Sequence, residues 1–178
     1  RQMCIRDRLE LQHVGVTTMT SEGFEKDFFD CYARTLPYLI EKTSVFIRLK
    51  GALKLSELGA DITLEQFITL DAISACPDVS QRDLAKMLLK DRSNVTRILN
   101  ILEQKELIHR EISNKGKRPV KRTRLSLKGQ ELMHKYADSM KNDLNDFLSQ
   151  FNQENLLITK KMLEEISSKI SANANIQI

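Results

Sequence analysis

Tryptophan is absent from the 178-residue chain, which also contains only three cysteines, three prolines and six glycines. The low proline and glycine content excludes collagen-like and low-complexity chains. No apolar run approaches the roughly 18 residues of a membrane-spanning helix, so we expect a cytoplasmic protein without a membrane partner. The cysteines fit no metal or disulfide spacing, and the histidines share no ligand spacing with them. These residues are Cys4, Cys31, Cys76, His13, His109 and His134.

Catalytic patterns are also absent. The chain has no nucleophile–base pair, no paired-carboxylate motif and no glycine loop that could cradle a phosphate. The sequence therefore predicts that the protein is not an enzyme and needs no cofactor.

Residues 1–18 are set apart from the rest of the chain. The opening RQMCIRDR resembles translated sequencing-adapter read-through, and Met19 is the expected native start. The first 20 residues contain no apolar segment of the kind that signal peptides require. We expect residues 1–18 to be an artefact or a disordered leader.

Acidic residues are scarce between Val79 and Gly129. This stretch holds 14 Lys/Arg against 5 Asp/Glu, a net charge of +9, whereas the remainder holds 14 basic and 19 acidic residues, a net charge of −5. Such segregation is typical of a protein that binds a polyanion. The alternative is a solvated basic face without a partner.

The stretch from Ser80 to Ile108 predicts two helices joined by a tight turn. Ser80 can cap the first helix, and Asp83 completes a capping-box pattern. Apolar residues at helical spacing mark the buried face of each helix. These are Leu84, Met87 and Leu88 in the first helix, and Val95, Ile98, Leu99 and Leu102 in the second.

The opposite face of the second helix is polar. It carries Asn94, Arg97, Asn100 and Gln104, with Ser93 and Thr96 near its start. Hydrogen-bonding side chains at the N-terminal end of a helix can read base edges in a DNA major groove.

A β-hairpin follows. Ile108 to Ile112 alternates as a strand does, residues 114–119 form a turn by composition, and residues 120–127 predict a second strand. From Lys115 to Lys128 there are seven basic residues and no acidic one. This charge suits insertion of a wing beside a phosphate backbone or into a minor groove. The DNA contacts predicted from helix and wing together are Ser80, Gln81, Arg92, Ser93, Asn94, Thr96, Arg97, Asn100, Lys115, Lys117 and Arg118.

Helices flank this region on both sides. A long one is predicted from Phe24 to about Leu58, with Pro37 breaking or kinking it and Gly59 as its C-cap. A shorter one follows from Thr63 to about Ala75. After Ser126, which caps the next helix, two apolar stripes are separated by a break at Asn152. Helices with such stripes need partners, and a second copy of the chain would bury them.

These residues resemble the MarR family of bacterial transcription regulators over roughly residues 28–172. The resemblance is carried by Thr63-Leu64-Glu65-Gln66-Phe67, by Leu84-Ala85 through Asp91-Arg92-Ser93-Asn94-Val95-Thr96-Arg97-Ile98-Leu99, by Leu102-Glu103 to Leu107-Ile108, and by Leu125-Ser126-Leu127-Lys128-Gly129. It implies a homodimer, built through its terminal helices, that presents two recognition helices to a pseudo-palindromic operator in double-stranded DNA.

The chain departs from the family pattern at three places. Lys117 and Pro119 stand at the wing tip where the family usually has an acidic residue and an arginine, and Arg118 is displaced by one position. Leu89 and Glu106 occupy turn positions where the family often has glycine, the residue that best tolerates φ > 0.

Family members often respond to small aromatic effectors. The resemblance implies that Tyr38, Phe46, Phe67 and Tyr136 could line such a site, although aromatic residues at helical spacing also serve as ordinary core. Some relatives sense oxidants through a first-helix cysteine, but Cys31 lies upstream of that position.

The sequence therefore predicts a mainly α protein with a small β-hairpin wing, a winged helix-turn-helix with N- and C-terminal dimerisation helices. Its expected segments are residues 19–58 for N-terminal dimerisation, 59–129 for DNA binding and 130–178 for C-terminal dimerisation. The expected function is a dimeric, sequence-specific DNA-binding regulator, a repressor released by a small ligand. The alternative is a winged-helix module whose basic wing binds an acidic protein partner.

Overall fold

The computed structural model describes residues 32–113 and 120–174. The chain divides into two compact units, and the division falls after Lys50. The helices are α1 (Leu36–Glu57), α2 (Leu64–Ala75), α3 (Gln81–Met87), α4 (Arg92–Gln104), α5 (Leu127–Ser149) and α6 (Gln153–Ala174). The strands are β1 (Val79–Ser80), β2 (Ile108–Ser113) and β3 (Val120–Leu125).

The predicted break at Pro37 is confirmed in the first unit. Tyr32 and Ala33 are helical, Arg34 turns, and α1 begins at Leu36, which places Pro37 in its first turn. Proline is tolerated there because the first-turn N–H groups have no intrahelical partner. Residues 24–31 of the predicted helix lie outside the described residues.

The caps predicted for the second unit are also confirmed. Gly59 follows α1 with φ of 67°. Thr63 caps α2, since its hydroxyl accepts the Gln66 N–H at 3.3 Å while Gln66 Oε1 accepts the Thr63 N–H at 3.2 Å. Together these caps end one helix and start the next within a few residues.

Helices α3 and α4 form the predicted helix-turn-helix. Ser80 caps α3 by accepting the Asp83 N–H at 3.2 Å, and Asp91 caps α4 by accepting the Asn94 N–H at 2.8 Å. The prediction that Met87 lies on the buried face of α3 is wrong. Its side chain is exposed, and Ala85 is buried beside Leu84 instead.

The turns at Leu89 and Glu106 have no glycine, but their backbone still adopts the left-handed conformation. Leu89 has φ of 52° and Glu106 has φ of 61°. After each helix, a backbone N–H reaches back to a carbonyl of the last turn, Lys90 to Ala85 and Leu107 to Leu102, at 3.0 and 2.9 Å. These bonds close the helix ends that glycine usually closes.

The core lies where α2, α4 and α5 meet the sheet. Its apolar residues in the second unit include Leu55, Leu70, Ile73, Leu84, Val95, Leu99, Leu102, Ile108, Met133 and Tyr136. Helix α4 contributes Val95, Ile98, Leu99 and Leu102 to this core, and each is at most 3% exposed. The buried face of α4 is therefore the one that its periodicity predicts.

The sheet is antiparallel, with strand order β1-β3-β2. Strands β2 and β3 form the predicted hairpin, with Ile108 opposite Leu125 and Ser113 opposite Val120. Strand β3 ends at Leu125, two residues before the predicted end, because Ser126 already caps α5. Strand β1 pairs Val79 with Thr123 and ties the start of the helix-turn-helix to the hairpin.

The outer helices expose apolar side chains. In the first unit these are Leu36, Leu39, Ile40, Val45, Phe46, Ile47 and Leu49, and on α6 they are Leu157, Ile158, Met162, Leu163 and Ile170. The predicted break at Asn152 is confirmed, since α6 begins at Gln153. Among the residues that the structure describes, no helix combines the length and apolarity needed to cross a bilayer.

Gly129 permits a close contact between α5 and the turn that precedes the hairpin. A Cβ at this position would lie 2.1 Å from the backbone oxygen of Leu107, which accepts the Ser126 N–H at 3.0 Å. We expect Gly129→Ala to lower the free energy of unfolding by about 1–3 kcal/mol, because a backbone carbonyl cannot yield as a side chain can.

Urea unfolding followed by circular dichroism measures this effect. Gly51→Ala is the matched control, because its Cβ would meet only the side chain of Leu64 at 3.0 Å. An unchanged midpoint for Gly129→Ala would contradict the packing described for this turn.

Candidate nucleic-acid interface

The polar face of α4 is open to solvent. Ser93, Asn94, Arg97 and Asn100 are exposed, while the apolar residues between them anchor the helix in the core. A helix held rigidly on one side can present its other side chains in fixed positions. This face is the centre of the candidate interface.

The basic residues around α4 fall into two groups. Six of them form ion pairs or hydrogen bonds within the chain: Lys90, Lys105, Arg110, Arg122, Arg124 and Lys128. Five others are exposed and, within the described part of the chain, carry no ion pair or side-chain hydrogen bond: Arg82, Lys86, Arg92, Arg97 and Lys121. Four of these five cations lie on α3 and α4, and Lys121 lies on β3, so the unpaired charge of the described residues is concentrated on the helix-turn-helix.

Asn94 is held by the cap of its own helix. Its Nδ2 donates to Asp91 Oδ2 at 2.5 Å, and its backbone N–H donates to Asp91 Oδ1. These hydrogen bonds lower the pKa of Asp91, the backbone bond contributing most. Since an ionised carboxylate only accepts, the amide nitrogen of Asn94 must face Asp91.

Thr96 is held by α3. Its hydroxyl donates to the backbone oxygen of Arg92 at 2.7 Å and accepts a hydrogen bond from Gln81 Nε2. Both functions of the hydroxyl are therefore used within the protein. Gln81 bridges the N-terminal ends of α3 and α4, and sequence reasoning gave it a DNA contact without foreseeing this bridge.

Asn100 is held by the hairpin. Its Oδ1 accepts from Arg110 Nη2 at 2.8 Å, and Arg110 also donates to Glu103 Oε2, with Nε at 3.0 Å. The hydrogen bond from Arg110 lowers the pKa of Glu103, with a smaller contribution from its charge. The Arg110 side chain is only 13% exposed, so it is a fixed link between β2 and α4.

A second link fixes the hairpin on its other strand. Arg124 forms a two-point ion pair with Asp78, the residue before β1, and Arg122 donates to the backbone oxygen of Asp78 at 3.0 Å. The hydrogen bond with Asp78 raises the pKa of Arg124. Asp78 has φ of 64°, a strained value that this pairing helps to hold.

The residues predicted to contact DNA fall into three groups. Gln81, Arg92, Ser93, Asn94, Thr96, Arg97 and Asn100 come together at the start of α3 and along α4. Ser80 is buried, and its hydroxyl is used by Asp83, which explains it as a helix cap. Lys115, Lys117 and Arg118 lie outside the described residues.

The four residues predicted to bind an effector lie in different parts of the chain. Phe67 and Tyr136 belong to the buried core of the second unit. In the first unit, Tyr38 stacks edge-to-face with Tyr32 at 5.5 Å between ring centroids, and Phe46 is exposed. A role for these four residues in binding an aromatic effector stays a prediction.

Two further features bear on whether the described residues could bind a metal ion or a small molecule. In residues 32–113 and 120–174, no group of three or more His, Cys, Asp or Glu side chains is arranged to hold a metal ion. A shallow pocket of about 290 Å³ lies against α5, and its polar lining residues include Asp71, His134 and Asp138.

Comparison with known proteins agrees with this geometry. A model of the MarR family matches residues 60–119, while no curated protein matches the chain. The MepR–DNA complex of Staphylococcus aureus has 28% sequence identity and a TM-score of 0.68, covering 76% of this chain and 98% of MepR. MepR in its DNA-binding conformation is 29% identical, with the same coverage and a TM-score of 0.65.

More distant structures share the fold. Transcriptional repressor CouR, bound to a 23-mer DNA duplex, is 21% identical over 78% of this chain and 96% of its own, with a TM-score of 0.66. A model of the MarR family spans the helix-turn-helix, and MepR is similar to this protein across most of both chains.

Proposed function

We propose that the protein is a dimeric, sequence-specific DNA-binding transcription regulator, a repressor that a small ligand releases. The exposed polar face of α4, with the unpaired cations Arg92 and Arg97, is the observation that carries the proposal. The polar side chains of such a helix supply the hydrogen-bond donors and acceptors that base edges require, and its positive charge attracts the helix to DNA. The role needs no catalytic group, and the protein would act in the cytoplasm.

MepR and CouR, both with this fold, have been solved on DNA. A protein–protein module would instead call for aromatic or methionine anchors at the centre of the face. Asn94, Arg97 and Asn100 stand there, which favours DNA over an acidic protein.

The dimer is proposed from the outer helices. Burying a Leu or Ile side chain stabilises an assembly by roughly 1.5–3 kcal/mol, and α6 alone exposes five large apolar residues. A second copy of the chain would cover them. Two copies would present two α4 helices to a pseudo-palindromic operator.

Release by a ligand is proposed from the family. The Rv2887 protein of Mycobacterium tuberculosis has been solved with salicylic acid, and PcaV of Streptomyces coelicolor with its natural ligand. A small aromatic effector is therefore the class to test first. Tyr38, Phe46, Phe67 and Tyr136 are the residues we propose for substitution.

A mobility-shift titration tests DNA binding. The probe is the DNA upstream of the protein's own gene, and random DNA of equal length is the competitor. We expect the upstream DNA to bind about a thousandfold more tightly or better at physiological salt. Equal affinity for both DNAs, or binding only to an acidic polypeptide such as polyglutamate, would contradict the proposal.

The wing gives a separate prediction. Replacing Lys117 and Arg118 together with Ala should weaken operator and random DNA alike, because neither cation has an acidic neighbour at the tip to orient it towards a base. The slope of log affinity against log salt should flatten by roughly two phosphate equivalents. A selective loss on the operator, with the slope unchanged, would instead give Arg118 a base contact.

A further inference from the structure

Asn100 is the one polar residue of α4 whose amide is oriented by another element of the fold. Arg110, on β2, donates to its Oδ1 at 2.8 Å. The assignment of oxygen and nitrogen follows from chemistry, because a guanidinium has donors only. The oxygen must therefore face Arg110.

This orientation leaves the nitrogen end of the amide for a ligand. Asn100 is exposed, and within the described chain its Nδ2 has no hydrogen-bond partner. Its oxygen already accepts a charged hydrogen bond, which makes it a poorer acceptor for a second donor. Asn100 thus offers two N–H donors and little acceptor capacity.

Arg110 is itself fixed. Two of its nitrogens donate to Glu103, one turn along α4 from Asn100, and its side chain is 13% exposed. The lowered pKa of Glu103 keeps that carboxylate ionised at neutral pH. Arg110 is therefore not free to swing towards a phosphate, and its guanidinium stays where it orients Asn100.

We propose that Arg110 is a specificity-determining positioning residue that sets Asn100 to recognise guanine or thymine. This inference rests on the proposed DNA-binding function. In the major groove, guanine offers the acceptors N7 and O6, and thymine offers O4, whereas adenine offers a donor beside its acceptor. An asparagine reads adenine best when both ends of its amide face the base, and Arg110 holds one end away.

Selection of binding sites from randomised double-stranded DNA tests the proposal. Wild-type protein and Asn100→Ala are compared first, and the position whose base preference disappears in Asn100→Ala is the position that Asn100 reads. We expect guanine or thymine there in the wild-type sites, preferred over adenine by about fivefold or more.

Arg110→Met keeps the apolar stem and removes the guanidinium. The amide of Asn100 is then free to turn, and we expect adenine to become equal to or better than guanine and thymine at that position alone. Arg124→Met is the matched control, because it removes a paired arginine from the neighbouring strand that contacts Asp78 and not α4. It should keep the wild-type preference.

Asn100→Asp keeps the proposal testable even if Arg110→Met does not fold. It preserves the shape of the side chain and the contact with Arg110 but removes both donors, so binding to the wild-type operator should fall at least about fivefold. Undiminished binding would overturn the proposal, as would adenine at this position in the wild-type sites.

The test also separates this inference from the function on which it rests. Wild-type protein that enriches no sequence at all would refute DNA-binding specificity. Enrichment of a defined operator whose preferences do not change in Asn100→Ala would refute only the role of Arg110 and Asn100.

Discussion

Deleting the residues after Phe151 should abolish dimerisation and operator binding together. The deletion removes α6 with its five exposed apolar side chains, and one recognition helix alone contacts half an operator. The core of the second unit should survive, because its described members and the partly buried residues packed on them end at Met140. Analytical ultracentrifugation and mobility shift measure the two losses on one sample.

A double substitution tests the same surface without removing a whole helix. Met162→Asp combined with Ile170→Asp places two charges among the exposed apolar residues of α6 and should give a monomer at micromolar concentration. Ser168→Asp, also exposed on α6, is the control and should remain dimeric. Wild-type protein that sediments as a stable monomer would contradict the dimer outright.

Arg97→Ala should cost on the order of 1–3 kcal/mol of binding free energy on the best operator and much less on random DNA. Arg97 is exposed on the face of α4 opposite its buried residues, and within the described chain its guanidinium has no partner. A side chain with five free donors in that place is expected to contact a base or its immediate surroundings. Competition titrations with operator and random DNA measure the difference.

Lys105→Ala is the control for lost charge on the same helix. Lys105 caps the far end of α4 and is paired with Asp61 at 3.0 Å, so its replacement should leave selectivity unchanged. If Arg97→Ala weakens both DNAs equally, Arg97 contacts phosphate only, and the base reading must be assigned to other residues of α4.

The helix ends could be predicted from sequence because they depend on local chemistry. Thr63 and Ser126 cap helices through side chains that reach a backbone N–H three residues away, so neighbouring residues suffice to recognise them. The buried face of α4 was predictable for the same reason. Asp91 was not predicted as a cap, because it lies between Lys90 and Arg92 in a charged segment without apolar periodicity.

The remaining features depend on residues far apart in the chain. Strand β1 has two residues and exists because β3 passes beside it, pairing Val79 with Thr123 and Ser80 with Arg122. The pairs of Arg124 with Asp78 and of Arg110 with Asn100 join separate elements. A charge count treats every arginine alike. Only the folded arrangement distinguishes Arg97, whose guanidinium has no partner among the described residues, from Arg110, which binds Asn100 and Glu103.

Met87 shows the same limit within a single helix. Helical spacing placed it with Leu84 and Leu88, but α3 is only seven residues long and buries Ala85 instead. Over two turns, a small shift of the packed face decides which side chains reach the core. The pattern cannot resolve such a shift because methionine is apolar in either place.

A hydroxyl-radical footprint on the tightest-binding selected DNA tests the central claim, that two copies of α4 read one operator. We expect two protected regions related by a dyad, with half-site centres about 10–10.5 base pairs apart on one face of the duplex. A single asymmetric region of protection on that DNA would contradict the account.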